Sequence, residues 1–205
     1  MEQETLFTAS KWDILTELQK QAKSPIELAR ILNTSVANIS QQLRLLEMAG
    51  LVQSKRISNR EKGLPRVLYS LAGNHSYLIA TAKEFVDKKF HLLTERNKVV
   101  LRIWFLDQPS IHYFLEKAFW SIDDHFANIS AVFFDQNQKD LSLVVVTDKA
   151  SLKSKIKDMK IANPDGLIKH VKFKVLDDKE FKSVAKKELY VLYDPDRIYK
   201  TGDET

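Results

Sequence analysis

Three groups of residues in this sequence have the types and spacing to do chemistry. The first is Asp87, His91 and Glu95, four residues apart. On a helix that spacing stacks them on one face, where carboxylate oxygens and an imidazole are donors for a divalent ion. No second histidine joins them and a solvated charged face is the simpler reading, so neither a metal nor a cofactor is expected. The second group lies between residues 35 and 46. Asn38, Gln41, Gln42 and Arg44 can make paired hydrogen bonds with base edges, and Val36 and Ala37 can meet a thymine methyl. Ser35 and Ser40 stand near a helix N-terminus, where free amides favour a phosphate. The third group is Lys55, Arg56, Arg60, Lys62 and Arg66, set against Glu61 alone between residues 53 and 66. Most of the net charge of +5 can be assigned to this stretch, and such a run suits the phosphate line of a duplex.

Other chemistry is missing from the sequence. It has no cysteine, which excludes disulfides, thiolate metal ligands and Cys nucleophiles. There is no Walker loop, no Gly-rich dinucleotide turn and no His-Glu-x-x-His. The five histidines are scattered, and His112 and His125 read as partners of backbone or carboxylate groups. No catalytic residue is expected.

The elements that must position these residues are legible in residues 24 to 71. Ser24-Pro25-Ile26-Glu27 is a capping box with proline at the first helical position, and Ile26, Ala29 and Ile31 or Leu32 make that helix's apolar side. Ser35 offers a second N-cap. Ile39, Leu43 and Leu46 then recur on one helical face, which turns Val36, Ala37, Asn38, Gln41, Gln42 and Arg44 outward, and Gly50 closes the helix. Residues 51 to 57 read as a strand, 58 to 64 as a polar tip and 65 to 71 as a returning strand. Two helices joined by a short turn and followed by a β-hairpin make a winged helix-turn-helix.

The stretches ISQQLRLLEMAGLV and KGLPRVLYSL resemble the recognition helix and wing of the ArsR-like and MarR-like prokaryotic transcription regulators. The resemblance covers roughly residues 8 to 95 and implies a sequence-specific protein of double-stranded DNA. The ArsR-like thiolate metal sensors need cysteine on their helices, so this chain is not one of them. Residues 5 to 20 read as a first helix with Phe7, Trp12, Ile14 or Leu15, and Leu18 as its apolar stripe; Trp12 is expected in the core.

From residue 76 to about 106 a long helix is expected, carried by Leu78, Ala82, Phe85, Val86, Lys89 and Leu92 or Leu93. By the resemblance, a helix here pairs with its twin, so that two recognition helices meet a two-fold site. Residues 99 to 106 are apolar almost all round and fit either a buried helix or a strand; helix is favoured because Gln108-Pro109 ends it.

Asp107-Gln108-Pro109 is the expected boundary. Beyond it come an aromatic helix over 111 to 126, strands over 129 to 134 and 141 to 147, and a helix over 151 to 161 with Lys153, Lys157 and Lys160 outward. A strand over 171 to 176, a helix capped by Asp177 and a closing strand over 189 to 193 follow. ISAVFFDQNQKDLSLVVVTDK and ELYVLYDPDRIYK are similar to segments of the minimal nucleotidyltransferases. Those enzymes hold two Mg²⁺ ions on carboxylates beside a Gly-Ser turn. Here Phe134-Asp135 occupy the Gly-Ser positions, Asp140 matches the first Asp, Ser142 replaces the second, and Lys172 and Lys174 stand where a third carboxylate belongs. The resemblance therefore implies a degenerate, non-catalytic copy.

Length and composition, 205 residues with 44% apolar and 29% charged, suit a soluble globular chain of one large or two small domains. With no bilayer-length apolar run and no signal sequence, a cytoplasmic protein without membrane contact is expected. The expected architecture is α+β. A winged helix-turn-helix spans 1–75, a helical connecting and dimerisation segment 76–107, and a small mixed domain that looks nucleotidyltransferase-like 108–205. The expected function is a homodimeric, duplex-reading transcription regulator whose second domain answers a small-molecule or protein effector. The alternatives are a nucleotidyltransferase steered by a winged helix, or a winged helix that binds protein.

Overall fold

The computed structural model describes residues 9–57, 66–137, 140–184, 189–195 and 197. The chain divides into two compact units, Met1–Leu92 and Leu93–Thr205. No helix among the described residues is long and apolar enough to cross a membrane.

The first unit opens with α1 (Ala9–Lys20), α2 (Pro25–Ile31) and α3 (Val36–Met48), followed by β1 (Val52–Ile57) and β2 (Arg66–Leu71). Ile14 and Leu18 of α1, Leu28 and Ala29 of α2, Ile39, Leu43 and Leu46 of α3 and Val52 of β1 form one buried cluster. β1 and β2 pair antiparallel from Val52 opposite Leu71 to Ile57 opposite Arg66. Lys23, just before α2, adds a bridge to Tyr69 of β2, with amide-to-carbonyl bonds of 3.0 and 2.8 Å. This ties the helical part to the wing through backbone alone. Trp12 departs from expectation: it is 68% exposed. At 100° per residue it lies about 160° from Ile14, on the far side of α1. In α2 the inward residues are Leu28 and Ala29, with Leu32 packed against them, whereas Ile26 and Ile31 are exposed.

The largest departure is residues 76–92. The expected long helix is absent there; the chain forms β3 (His75–Thr81) and β4 (Val86–Leu92), an antiparallel hairpin with a register from His75 opposite Leu92 to Thr81 opposite Val86. The spacing of Leu78, Ala82, Val86 and Lys89 suits a helix, but Tyr77, Ile79, Thr81, Val86 and Phe90 are β-branched or aromatic and favour strands. The turn closes through Ala82 N–H donating to the Phe85 carbonyl at 2.8 Å. Asp87 and His91 consequently lie on a strand, roughly 13 Å apart along it, and Glu95 begins the next helix. The three do not stack as a helical ligand set.

The second unit begins with α4 (Glu95–Trp104) and α5 (Pro109–Ser121), then a 3-10 turn (Asp123–Asn128), β5 (Ala131–Asp135), β6 (Leu141–Val146), α6 (Leu152–Lys155), β7 (Met159–Ala162), β8 (Ile168–Leu176), α7 (Asp178–Val184) and β9 (Tyr190–Tyr193). Its five-stranded sheet has the order β7-β8-β6-β5-β9. β5 and β6 are antiparallel, and β6 and β8 parallel. Side chains alternate across the strands. Val132, Phe134, Leu141, Leu143 and Val145 pack with α4 and α5, while Ala131, Phe133, Val144 and Val146 share a second cluster with Phe181 of α7. Arg102 donates to the Val191 carbonyl at 2.8 Å and the Tyr190 hydroxyl donates to the Arg102 carbonyl at 3.0 Å, fixing α4 to β9.

Val99 and Ile103 of α4 are buried with α5, so Gln108-Pro109 joins two helices of one core and the division falls at Leu92/Leu93. The expected 151–161 helix also shortens. α6 ends at Lys155, and Met159 and Lys160 enter β7, paired with Val171 and His170 of β8.

Candidate nucleic-acid interface

The geometry of α3 is set by its neighbours in sequence. The Ser24 Oγ accepts from Glu27 N–H at 3.3 Å, and the Glu27 carboxylate accepts from Ser24 N–H at 2.7 Å, completing the capping box of α2. Asn33 turns the chain with a left-handed φ of 48°, a conformation asparagine tolerates. Ser35 then caps α3, its Oγ accepting from Asn38 N–H at 3.1 Å. At the far end Leu51 N–H donates to Leu46 O and Gly50 N–H to Glu47 O, both at 3.0 Å, with Gly50 at φ 72°. This is a Schellman closure, and Leu46 and Leu51 both pack in the core.

Ile39 and Leu43 are fully buried and Leu46 nearly so. Opposite them, Ala37, Gln41, Arg44 and Met48 form one outward ridge, all exposed. Val36 and Ser40 flank it, also exposed. The Ser40 hydroxyl donates back to the Val36 carbonyl at 2.7 Å. Asn38 and Gln42 differ from the outward set expected for them: both are half-buried. Asn38 Nδ2 donates to Thr34 Oγ1 at 3.1 Å, and Gln42 Nε2 reaches Asn38 Oδ1 at 3.4 Å. Their amides are thus turned along the helix flank toward the α2–α3 turn. The buried Gln42 Oε1 has no hydrogen-bond partner. Met48, 77% exposed, and Leu45 extend the outward surface beyond the residues singled out from sequence. The same helical spacing, continued to the end of α3, identifies Met48.

On the wing, Lys55 and Arg56 are both exposed, but adjacent strand residues face opposite ways. Ser54, on the same face of β1 as Arg56, donates to the Glu47 carboxylate of α3 at 2.6 Å. Arg56 therefore lies on the α3 side of the strand and Lys55 on the other. Burial, with a smaller contribution from Glu47, pushes the Tyr69 phenol above its ordinary pKa. Arg60 and Lys62 lie outside the described residues, and Arg66 is placed by its backbone, opposite Ile57.

One positioning group has no sequence signature. Lys23 is 5% exposed, and its ammonium donates to the Glu17 carbonyl at 2.8 Å and lies 3.4 Å from the Glu17 carboxylate. The Lys20 hydrogen bond, with Lys23 assisting, holds the Glu17 carboxyl below its ordinary pKa. The end of α1 is thereby clamped beside the strand that Lys23 bridges.

In the second unit, Asp140 is bound by Lys172 at 2.8 Å, and that ammonium lowers the Asp140 pKa. Ser142 lies opposite Lys172 and Val144 opposite Lys174 on the β6–β8 ladder. On β8 it is the Lys172 ammonium that meets this carboxylate. Lys153, which the sequence places outward, binds Glu180 at 2.6 Å.

No curated protein matches the chain. Residues 10–54, covering α1 from its second residue through α3 and into β1, match the family model described as bacterial regulatory protein, arsR family. The stretch that holds α1, α2 and α3 is thus similar to the helix-turn-helix region of that family.

Proposed function

We propose that the protein is a sequence-specific, double-stranded-DNA-binding transcription regulator that acts as a homodimer on two-fold sites. The observation that carries this reading is the two-sidedness of α3. Ile39, Leu43 and Leu46 lock one face into the core, while Ala37, Gln41, Arg44 and Met48 stand free on the other. Arg44 suits the paired acceptors of guanine and Gln41 the adenine edge, with Val36, Ala37 and Met48 supplying apolar contact to thymine methyls. Asn38 and Gln42 hold α3 against the Thr34 turn and contribute to base reading through its position. Lys55, Arg56, Arg60, Lys62 and Arg66 supply phosphate contacts, as do Ser35 and Ser40 at the start of α3.

The second unit serves as a non-catalytic domain for a small-molecule or protein effector. Asp140 is neutralised by Lys172, and Lys174 lies one step further along the strand, a setting that disfavours a two-Mg²⁺ centre. Selection of bound duplexes from a random pool tests the proposal. A single two-fold motif is expected, and recovery of no preferred sequence would refute it. Incubation with nucleoside triphosphates, Mg²⁺ and acceptor substrates tests the second unit, where turnover abolished by Asp140→Asn would overturn the non-catalytic reading.

A further inference from the structure

A larger excess of positive charge than the wing's lies in the second unit. From 149 to 174 the sequence has eight lysines against Asp158 and Asp165 alone, an excess above the net +5 of the whole chain. This stretch runs through α6, β7 and β8, and β7 is an edge of the five-stranded sheet. Alternation divides its side chains between two faces. Met159, Ile161, Val171, Phe173 and Val175 pack on the side of α4 and α5. Lys169 lies on that side too, its ammonium 5.8 Å from the centre of the Phe114 ring of α5.

The other face of β7 and β8 carries Lys160, His170, Lys172 and Lys174, all exposed. Lys160 stands opposite His170, and Lys172 beside Ser142. Phe181 of α7 covers the far part of this face, packing with Phe133, Val144, Val146 and Leu176. The β7–β8 part is left to solvent. Neither strand contains a carboxylate. The carboxylates that reach the patch come from its rim: Asp140 binds Lys172, and Asp158 accepts from the Phe173 amide. Lys160 and Lys174 are in no ion pair among the described residues, nor are Lys155 and Lys157 on the approach to β7. A solvated surface ordinarily intersperses both signs, whereas β8 is basic at three consecutive outward positions.

We propose that the β7–β8 face of the second unit is a further phosphate-binding surface for duplex DNA, separate from α3 and the wing. Successive outward residues of a strand are about 6–7 Å apart, so His170, Lys172 and Lys174 form a row that a line of phosphates can follow. Lysine meets phosphate as a point charge, which suits contacts that hold a duplex without reading it. Phe173, the one Phe, Tyr or Trp of the two strands, packs on the opposite side. The patch therefore lacks the stacking platform that single strands use and the aromatic anchors typical of protein interfaces. The surface adds affinity and no sequence preference. The inference rests on the duplex-binding reading above and concerns residues which that reading does not use.

The test uses the full chain. Lys160→Gln/Lys174→Gln removes two unpaired charges from the face, and Lys98→Gln/Lys117→Gln makes an equal change of charge on α4 and α5, across the sheet. Binding is titrated against salt on a duplex carrying the selected motif and on one of unrelated sequence. The face variant should lose about 1.8 from the slope of log K against log salt on both duplexes, about 0.9 for each phosphate contact. The control and the charge-keeping Lys160→Arg/Lys174→Arg should retain the wild-type slope. Asp140→Asn, which frees Lys172, should steepen it by about 0.9. Preference for the motif should stay within about twofold of wild type in every variant. A wild-type slope in the face variant, or an equal loss in the control, would overturn the proposal, while intact motif preference would keep the α3 reading. Absence of motif preference in wild type would instead sink the α3 reading, and the slope on the unrelated duplex would still decide this one. Tighter binding of a single-stranded oligonucleotide than of duplex, with that advantage lost in the face variant, would refute the duplex assignment.

Discussion

Gln41 and Gln42 are adjacent, identical in chemistry and differently placed, and so give the sharpest test of the interface. Gln41 lies about 160° from Ile39 around α3; it is exposed and makes no side-chain hydrogen bond within the chain among the described residues. Gln41→Ala removes no internal contact and gains a few tenths of a kcal/mol, about 0.3, of helix propensity. Stability should move by less than about 0.5 kcal/mol. If Gln41 reads a base, discrimination at that position should fall by about 1–3 kcal/mol, a roughly 5- to 150-fold loss of preference. Gln42 is half-buried, with a long 3.4 Å bond to Asn38 and an unpartnered Oε1. Gln42→Ala loses stem packing and that weak bond, together about 1–2 kcal/mol, and relieves a buried orphan acceptor whose burial costs about 1 kcal/mol or more. The net destabilisation should be no more than about 1 kcal/mol, with the preferred sequence unchanged. Chemical denaturation gives the stability changes, and competition binding against singly substituted duplexes gives the discrimination. Altered base preference in Gln42→Ala with none in Gln41→Ala would refute the assignment of α3's faces.

Gly50→Ala meets open space but must hold φ 72°, so thermal unfolding should show a loss of about 1–2 kcal/mol from the conformation alone. Glu17 has a lowered folded pKa, chiefly through Lys20. Its stabilisation is complete above the ordinary glutamate value and is lost as pH falls through the folded one. Melting of Glu17→Gln should therefore vary less than wild type over that acid window, and an unchanged slope would count against the clamp. Arg56→Ala should weaken all duplexes alike and reduce the slope of log K against log salt by about 0.9; a sequence-dependent effect would mean that it contacts bases.

The first unit's helices were legible because their signals are local. The Ser24 and Ser35 caps, the Ile39/Leu43/Leu46 spacing and the Gly50 closure each specify a backbone conformation within a few residues. The positions of Gln41 and Arg44 on the outward face follow from the same periodicity. What the sequence left open depended on partners far along the chain. Residues 76–92 satisfy helical spacing and strand propensity together, and the cross-strand register of β3 with β4 decides between them. Met159 and Lys160 likewise fit a helix until β8 pairs with them, and Asp158 accepts from Phe173 N–H at 2.8 Å to hold that turn. The inward turn of Asn38 and Gln42, the burial of Lys23 beside Glu17, and the exposure of Trp12 belong to the same class. Each depends on how neighbouring elements pack around a helix, and a helix's own period does not encode which of its two sides will be covered.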